Sequence, residues 1–208
     1  PFTAALLREK FKEKKIDISN YLKIVQLNGK INLGPFDIDF ISLTHSILEP
    51  NGLSITTPVG IVLHTGDWKI DSNPLLGTKI DEIKLKKIGS KGVTAMICDS
   101  TNVFSEGRAG SELEVRNSLL DIMDKKAKKI IVTSFASNAA RMETIFYCAK
   151  KTNRQISLVG RSMHKIYKAA RQCGYLQNLI EPIDPRDAKK IERNKIIYLC
   201  TGSQGEPM

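Results

Sequence analysis

The sequence lacks long apolar runs, closely spaced cysteines and glycine-rich nucleotide-binding motifs. No stretch approaches the roughly 18 to 20 apolar residues that a membrane helix needs, so we expect no membrane partner and a cytoplasmic location. The four cysteines form no CxxC pair, which argues against a zinc knuckle and favours reduced thiols. No loop reads GxGxxG or GxxxxGK[ST], so the fingerprints of dinucleotide and P-loop ATP binding are absent.

Positive charge is unevenly distributed along the 208 residues, whose net charge is +10. Residues 1–104 carry 13 basic and 11 acidic side chains, whereas residues 105–208 carry 19 and 11, so the net charges are +2 and +8. This imbalance favours an anionic partner for the second half, although solvated helix faces explain part of it equally well.

Short apolar segments in the first half predict strands. They cover residues 21–27, 36–43, 60–67 and 93–99, and residues 79–88 are predicted to form a short helix. Phe36, Ile38 and Phe40 alternate with acidic residues, which is typical of a half-buried strand. The runs ending at Asp67 and Asp99 are mostly apolar, which predicts more fully buried strands.

From Gly110 onwards, helices and strands alternate. Ser111 and Glu114 form a capping-box pattern. Amphipathic helices are predicted behind it, near 138–151 and from 162, with strands at 129–135, 155–160 and 195–202. This alternation predicts a doubly wound parallel α/β unit.

The carboxyl ends of the three second-half strands are rich in Ser, Gly and Asn. Ligands of parallel α/β sheets bind at this edge, where backbone N–H groups and helix N-termini favour anions. We therefore interpret the edge as a candidate phosphate or RNA-backbone site, while ordinary helix capping explains each loop taken singly. The candidate RNA-binding residues are Ser137, Asn138, Arg141, Arg161, Ser162 and Ser203.

Histidine and aspartate follow two first-half strands, at His45 and Asp67, in a chain with three histidines. Imidazole and carboxylate are the ligands that zinc uses in hydrolases, and a carboxylate can bridge two ions. Two or three candidates fall short of a complete two-metal site, and a structural hydrogen-bonding role for each histidine stays open.

A set of motifs adds a resemblance to these observations. "LTHSI", "HTGDWKID", "CDSTN", "FASN", "VGRSM" and "CTGSQGEPM" occur in this order. The sequence from about Asp37 to Met208 resembles the ribonuclease J family, of the β-CASP branch of the metallo-β-lactamase superfamily. The resemblance implies a partial metallo-β-lactamase αββα sandwich at 1–104 and an incomplete β-CASP domain at 105–208.

The resemblance also implies an activity and its residues. It implies a 5′-to-3′ exonuclease and endonuclease that hydrolyses RNA with two zinc ions. His45 would ligate one zinc and Asp67 would bridge both. The catalytic residues would be Asp67 and Asp99, the latter an acidic residue near the site that orients a partner. His64 would support the loop, and homo-oligomer formation in a longer protein is left open.

The family's HxHxDH metal motif is absent from the sequence, as are its later β-CASP histidine motifs. We therefore expect a fragment that is inactive alone. Two alternatives stay open: a non-catalytic RNA-binding module, and another nuclease of the metallo-β-lactamase fold.

Overall fold

The computed structural model describes residues 1–107 and 109–203. The first half contains two helices and five strands. In chain order they are α1 (Phe2–Glu13), β1 (Lys30–Leu33), β2 (Phe36–Ser42), β3 (Asn51–Thr57), β4 (Gly60–His64), α2 (Glu82–Ser90) and β5 (Ala95–Ile97). The five strands form one sheet in sequence order. Strands β1 to β4 pair antiparallel, and β5 joins β4 in parallel.

Helix α2 packs against one face of this sheet. Asp81 caps the helix by accepting the N–H of Lys84 at 2.9 Å. Ile41, Leu43 and Ile88 are the buried centre of this interface. Successive strand residues point to opposite faces, so Phe36, Ile38 and Phe40 lie on the side away from α2.

The structure corrects the burial predicted for these strands. None of Phe36, Ile38 and Phe40 is buried, and it is Ile41, at 0% exposure, that enters the core. Neither β4 nor β5 is fully buried, and all three residues of β5 are exposed. The physical reason is that β5 is the edge strand and pairs only with β4.

Three further differences concern which segments form strands, and the first is that β1 was not predicted. The strand predicted at 21–27 is wrong, because this segment pairs with no other strand and Tyr21 is 89% exposed. Strand β3 was not predicted, because its "NG" start reads as a turn. A Cβ on Gly52 would lie 3.1 Å from Leu43 Cδ1, so glycine lets these chains approach closely.

The second half forms a parallel three-stranded sheet. Its elements are α3 (Glu112–Asp124), β6 (Ile130–Thr133), α4 (Ala139–Lys151), β7 (Gln155–Val159), α5 (Arg161–Gln172), α6 (Pro185–Ala188) and β8 (Ile196–Cys200). Strand β8 lies between β6 and β7 and is parallel to both. The predicted alternation of helices and parallel strands is confirmed here.

Local signals place the helices of this half. Ser111 accepts the N–H of Glu114, and Glu114 accepts the N–H of Ser111, so the capping box is confirmed. Asp184 caps α6, with Pro185 at its first position, as predicted. The predicted inward residues of α4 are buried at 0–1% exposure: Met142, Ile145, Phe146 and Ala149.

The main core joins both halves of the chain. Phe2 and Leu48 belong to the same buried cluster as the apolar faces of α4 and α5. Helix α1 also pairs with α5 through Lys165–Glu13 and Lys168–Glu9 at 2.7 and 3.3 Å. In the described part of the chain, no helix combines the length and apolar character needed to cross a membrane.

Candidate functional site

His45, Asp67 and Asp99 follow β2, β4 and β5 at one end of the first sheet. Backbone hydrogen bonds connect the segments that carry them. Lys69 donates its N–H to the carbonyl oxygen of Thr44 at 2.8 Å, and Thr65 donates its N–H to that of Ile97 at 3.0 Å. The structure therefore gathers three predicted site residues at one sheet edge.

The Asp67 carboxylate is exposed. Within residues 1–107 and 109–203 it has no hydrogen-bonding or ion-pair partner. An unpaired, exposed carboxylate on a loop whose backbone is held at both ends is available to a cation or a ligand.

Asp99 differs from Asp67 because its carboxylate is already engaged. Its Oδ1 accepts the Thr101 N–H at 3.0 Å and the Thr101 hydroxyl at 2.6 Å. These two hydrogen bonds are the main cause of a lowered Asp99 pKa, with smaller contributions from a hydrogen bond of Trp68 and from the nearby His45. Asp99 is therefore an ionised acceptor in the neighbourhood of His45.

His45 and His64 have different surroundings. His45 is half-buried, and its Nδ1 lies 3.3 Å from the Ser46 hydroxyl. His64 Nδ1 accepts the N–H of Gly66 at 3.0 Å, and Gly66 adopts a left-handed φ of +60°. The predicted support of the loop by His64 is confirmed, through a neighbour of Asp67.

The side chains of His45, Asp67 and Asp99 are of the types that bind zinc, but they are too few for a complete two-metal site. Imidazole and carboxylate are suitable zinc donors. However, the described residues contain no group of three or more His, Cys, Asp or Glu side chains arranged to hold a metal ion. The donor set that the structure places here is thus an incomplete one.

A groove of about 590 Å³ adjoins these loops. Its walls include Trp68, Asp71, Asn102 and Ser111, which places the start of α3 opposite the segment that follows Asp67. Lys69, which follows Asp67, donates from its Nζ to the carbonyl oxygen of Gly110, just before α3, at 3.0 Å. The segment after Asp67 and the start of the second half therefore border the same groove.

The second-half loops meet as predicted. Ser134 donates its N–H to the Cys200 carbonyl at 3.0 Å, and Thr201 donates its N–H to that of Val159 at 3.3 Å. Gly160 begins α5 with a φ of +112°, and a Cβ there would lie 2.7 Å from the Thr201 hydroxyl. Part of the third loop, from residue 204, lies outside the described residues.

The six candidate RNA-binding residues differ in their exposure and in whether their side chains already have a partner within the chain. Ser137, Arg161, Ser162 and Ser203 are exposed. Asn138 uses its side-chain oxygen to accept the N–H of Arg141 at 2.9 Å. The Arg141 guanidinium makes a bidentate ion pair with Glu112, with an Nε–Oε1 distance of 2.7 Å.

Residues that the sequence motifs contained, but to which we assigned no role, complete the site. Thr44 and Thr65 are each 4% exposed and hydrogen bond to the loops beside them. Trp68 donates its indole N–H to the Asp99 carbonyl at 3.3 Å. Their positions beside His45 and Asp67 in "LTHSI" and "HTGDWKID" were the available signal.

Comparison with known proteins finds a family model and several relatives that are similar to this chain. Residues 127–208 match the family model described as the β-CASP domain of ribonuclease J. The whole chain aligns with the ribonuclease J of Sinorhizobium meliloti at 38% identity and covers 37% of that protein. The second half of the chain is therefore similar to the β-CASP domain of ribonuclease J.

Other ribonuclease J proteins align over nearly the whole chain. That of Thermus thermophilus is 33% identical over 99% of the chain, which covers 36% of the relative. Ribonuclease J2 of Bacillus subtilis is 31% identical over 99% of the chain, and 37% of it is covered. The chain thus spans about a third of the length of these curated relatives.

A solved structure shares the fold of this chain. It is a protein of unknown function from Enterococcus faecalis V583, with a TM-score of 0.60 and 14% identity. The alignment covers 96% of the present chain and 51% of the other. At this identity the likeness concerns the fold alone.

Proposed function

We propose that this chain is part of a zinc-dependent ribonuclease that hydrolyses RNA phosphodiesters in RNA processing and decay. The observation that carries the proposal is the meeting of His45, Asp67 and Asp99 on hydrogen-bonded loops at one sheet edge. The relatives named ribonuclease J support the choice of RNA as substrate. The cytoplasm is the proposed compartment, and both exonuclease and endonuclease action are included.

The proposal assigns a domain to each half. Residues 1–104 would be part of a metallo-β-lactamase αββα sandwich, in which α2 covers one face of the five-stranded sheet. Residues 105–208 would be a β-CASP domain, with the parallel sheet at its centre. The boundary falls before the capping box of α3.

In the complete site, His45 and Asp67 would hold zinc together with ligands that the described residues do not supply. Zinc would provide an activated water and polarise the phosphoryl group. Asp99, ionised and held by Thr101, would accept a hydrogen bond from a nearby group and keep it oriented. The exposed Arg161 and the polar strand ends of the second half would contact the RNA backbone.

We predict that the 208-residue chain alone does not cleave RNA, because the residues that the structure describes supply no complete set of metal ligands. A labelled single-stranded RNA, incubated with the purified chain and zinc, should remain intact on a denaturing gel. Zinc binding is measured in parallel by calorimetry, and His45→Ala and Asp67→Ala should each abolish the binding that the unaltered chain shows.

Asn102→Ala is the matched control for calorimetry, since Asn102 lines the groove that adjoins the site loops and is not a proposed ligand. Zinc-dependent cleavage that disappears in Asp67→Ala would contradict the predicted inactivity. Zinc binding that survives both substitutions would contradict the assignment of His45 and Asp67 as ligands.

A second candidate is a non-catalytic RNA-binding module. The observation that favours it is the contrast between an incomplete donor set and a basic second half with a net charge of +8, from 19 basic and 11 acidic side chains. Such a module would bind RNA without metal.

A further inference from the structure

Two buried threonine hydroxyls lie on either side of Asp67 in the folded chain. Thr44 and Thr65 are each 4% exposed, and they come from different loops of the same sheet edge. A hydroxyl can donate one hydrogen bond and accept others at the same time. Both threonines use this capacity to join two loops.

Thr44 holds the segment that follows Asp67. Its hydroxyl donates to the Lys69 carbonyl and accepts the N–H of Asp71 at 3.1 Å. Its carbonyl oxygen accepts the N–H of Lys69 at 2.8 Å. Thr44 precedes His45 in the chain, so these three hydrogen bonds fix the His45 loop against the end of the Asp67 loop.

Thr65 holds the segment that precedes Asp67. Its hydroxyl donates to the Gly66 carbonyl at 2.7 Å and accepts the N–H of Asp99 at 3.2 Å. The indole N–H of Trp68 adds a hydrogen bond to the Asp99 carbonyl at 3.3 Å. The beginning of the Asp67 loop is therefore tied to the Asp99 loop.

The Asp67 side chain itself contributes nothing to this arrangement, because within the described ranges its carboxylate has no partner. Its position depends on the backbone of residues 65–71. That backbone is anchored on one side by Thr65 and on the other by Thr44.

We propose that Thr44 and Thr65 are positioning residues, whose hydroxyls set the place of Asp67 relative to His45 and Asp99. Their relevance to catalysis rests on the proposed function, in which these three residues share one site. The arrangement itself is a property of the apo chain and can be measured without metal or RNA.

The experiment compares valine and serine at each position. Valine has nearly the shape of threonine and lacks the hydroxyl, whereas serine keeps it. In the ¹⁵N-labelled chain, Thr44→Val should speed amide exchange of Asp71, and Thr65→Val that of Asp99, each by about tenfold, the loss of one hydrogen bond. Both should also shift the Asp67 amide resonance.

Thr44→Ser and Thr65→Ser should keep these exchange rates within about twofold of the unaltered chain, because the hydroxyl is retained. Thr57→Val is the matched control. The Thr57 hydroxyl also makes two hydrogen bonds. It donates to the Gly60 carbonyl at 2.9 Å and accepts the N–H of Val59 at 3.2 Å. Thr57 is the last residue of β3, beside the turn that leads into β4 at the end remote from Asp67, so Thr57→Val should leave the Asp67 amide unchanged.

An Asp67 amide that is unmoved in both valine variants would overturn the proposal, as would an equal shift in Thr57→Val. If a valine variant fails to fold, the cysteine variant at the same position replaces it and must shift the Asp67 amide. Zinc added to the unaltered chain tests the proposed function separately. Amide resonances of His45 and Asp67 that do not shift on adding zinc would reject zinc binding. The exchange rates measured without zinc decide the role of the threonines in either case.

Discussion

Tyr175 shows how a single contact between the two halves sets the chemistry of a side chain. Its hydroxyl donates to Glu49 Oε1 at 3.3 Å. Burial, and after it the negative charge of Glu49, raises the pKa of Tyr175 from 10.0 to about 12. The neutral phenol is therefore the form that the folded chain favours.

This raised pKa predicts a loss of stability at high pH. The stabilisation by neutral Tyr175 is complete below the ordinary pKa of 10.0 and is lost as pH rises towards 12, because the unfolded chain releases the proton first. Glu49→Gln removes the repelling charge and should lower the Tyr175 pKa, which burial still keeps above its ordinary value.

Ultraviolet titration of tyrosinate measures this pKa, and the difference between the chain with and without Tyr175→Phe assigns it. The control substitution is Tyr21→Phe, since Tyr21 is 89% exposed. An unchanged Tyr175 pKa in Glu49→Gln would show that the carboxylate does not act on the phenol.

At the scale of elements, Ile41 and Phe36 lie on opposite faces of strand β2, and substituting each of them tests which face packs into the core. Ile41 is fully buried against α2, whereas Phe36, on the other face, is 43% exposed. Ile41→Ala should lower the free energy of unfolding by about 2 to 4 kcal/mol, because it leaves a cavity. Phe36→Ala should cost less than about 1 kcal/mol, because little packing is lost.

Chemical denaturation with urea measures both substitutions on the same chain. They form a matched pair, since both remove a large apolar side chain from one strand. Equal losses of stability would contradict the assignment of the Ile41 face as the core side of β2.

The whole molecule concentrates its positive charge in the second half, next to polar strand ends. Arg161 is exposed and, in the described part of the chain, forms no salt bridge, although its charge acts on the nearby Glu13. We predict metal-independent RNA binding that weakens steeply with salt, because each phosphate contact releases counterions. Arg161→Ala should weaken it by about tenfold at low salt if this contact contributes about 1.4 kcal/mol.

Filter binding of a labelled RNA across a salt series measures this affinity. Arg186→Ala is a control of equal charge change, since Arg186 pairs with Asp184 at 3.1 Å. No measurable affinity at low salt would reject the RNA-binding module, and equal effects of the two substitutions would reject a specific role for Arg161.

The local sequence was sufficient to predict most of the helices and strands of the second half. The capping box at Ser111, the inward face of α4 and the Asp184–Pro185 start of α6 depend on contacts within a few residues, so periodicity and capping patterns predict them. The meeting of the three second-half strand ends follows from their parallel pairing. Motif order was also enough to indicate the ribonuclease J family.

Tertiary structure decided what depends on distant partners. Burial of Ile41 in place of Phe40 requires α2 on one face, and exposure of β5 follows from its place at the edge of the sheet. The ion pair of Arg141 with Glu112 and the hydrogen bonds of Thr44 and Thr65 join residues about 25 to 35 positions apart. No local pattern encodes such pairs, because their hydrogen bonds form only when the chain brings separate loops together.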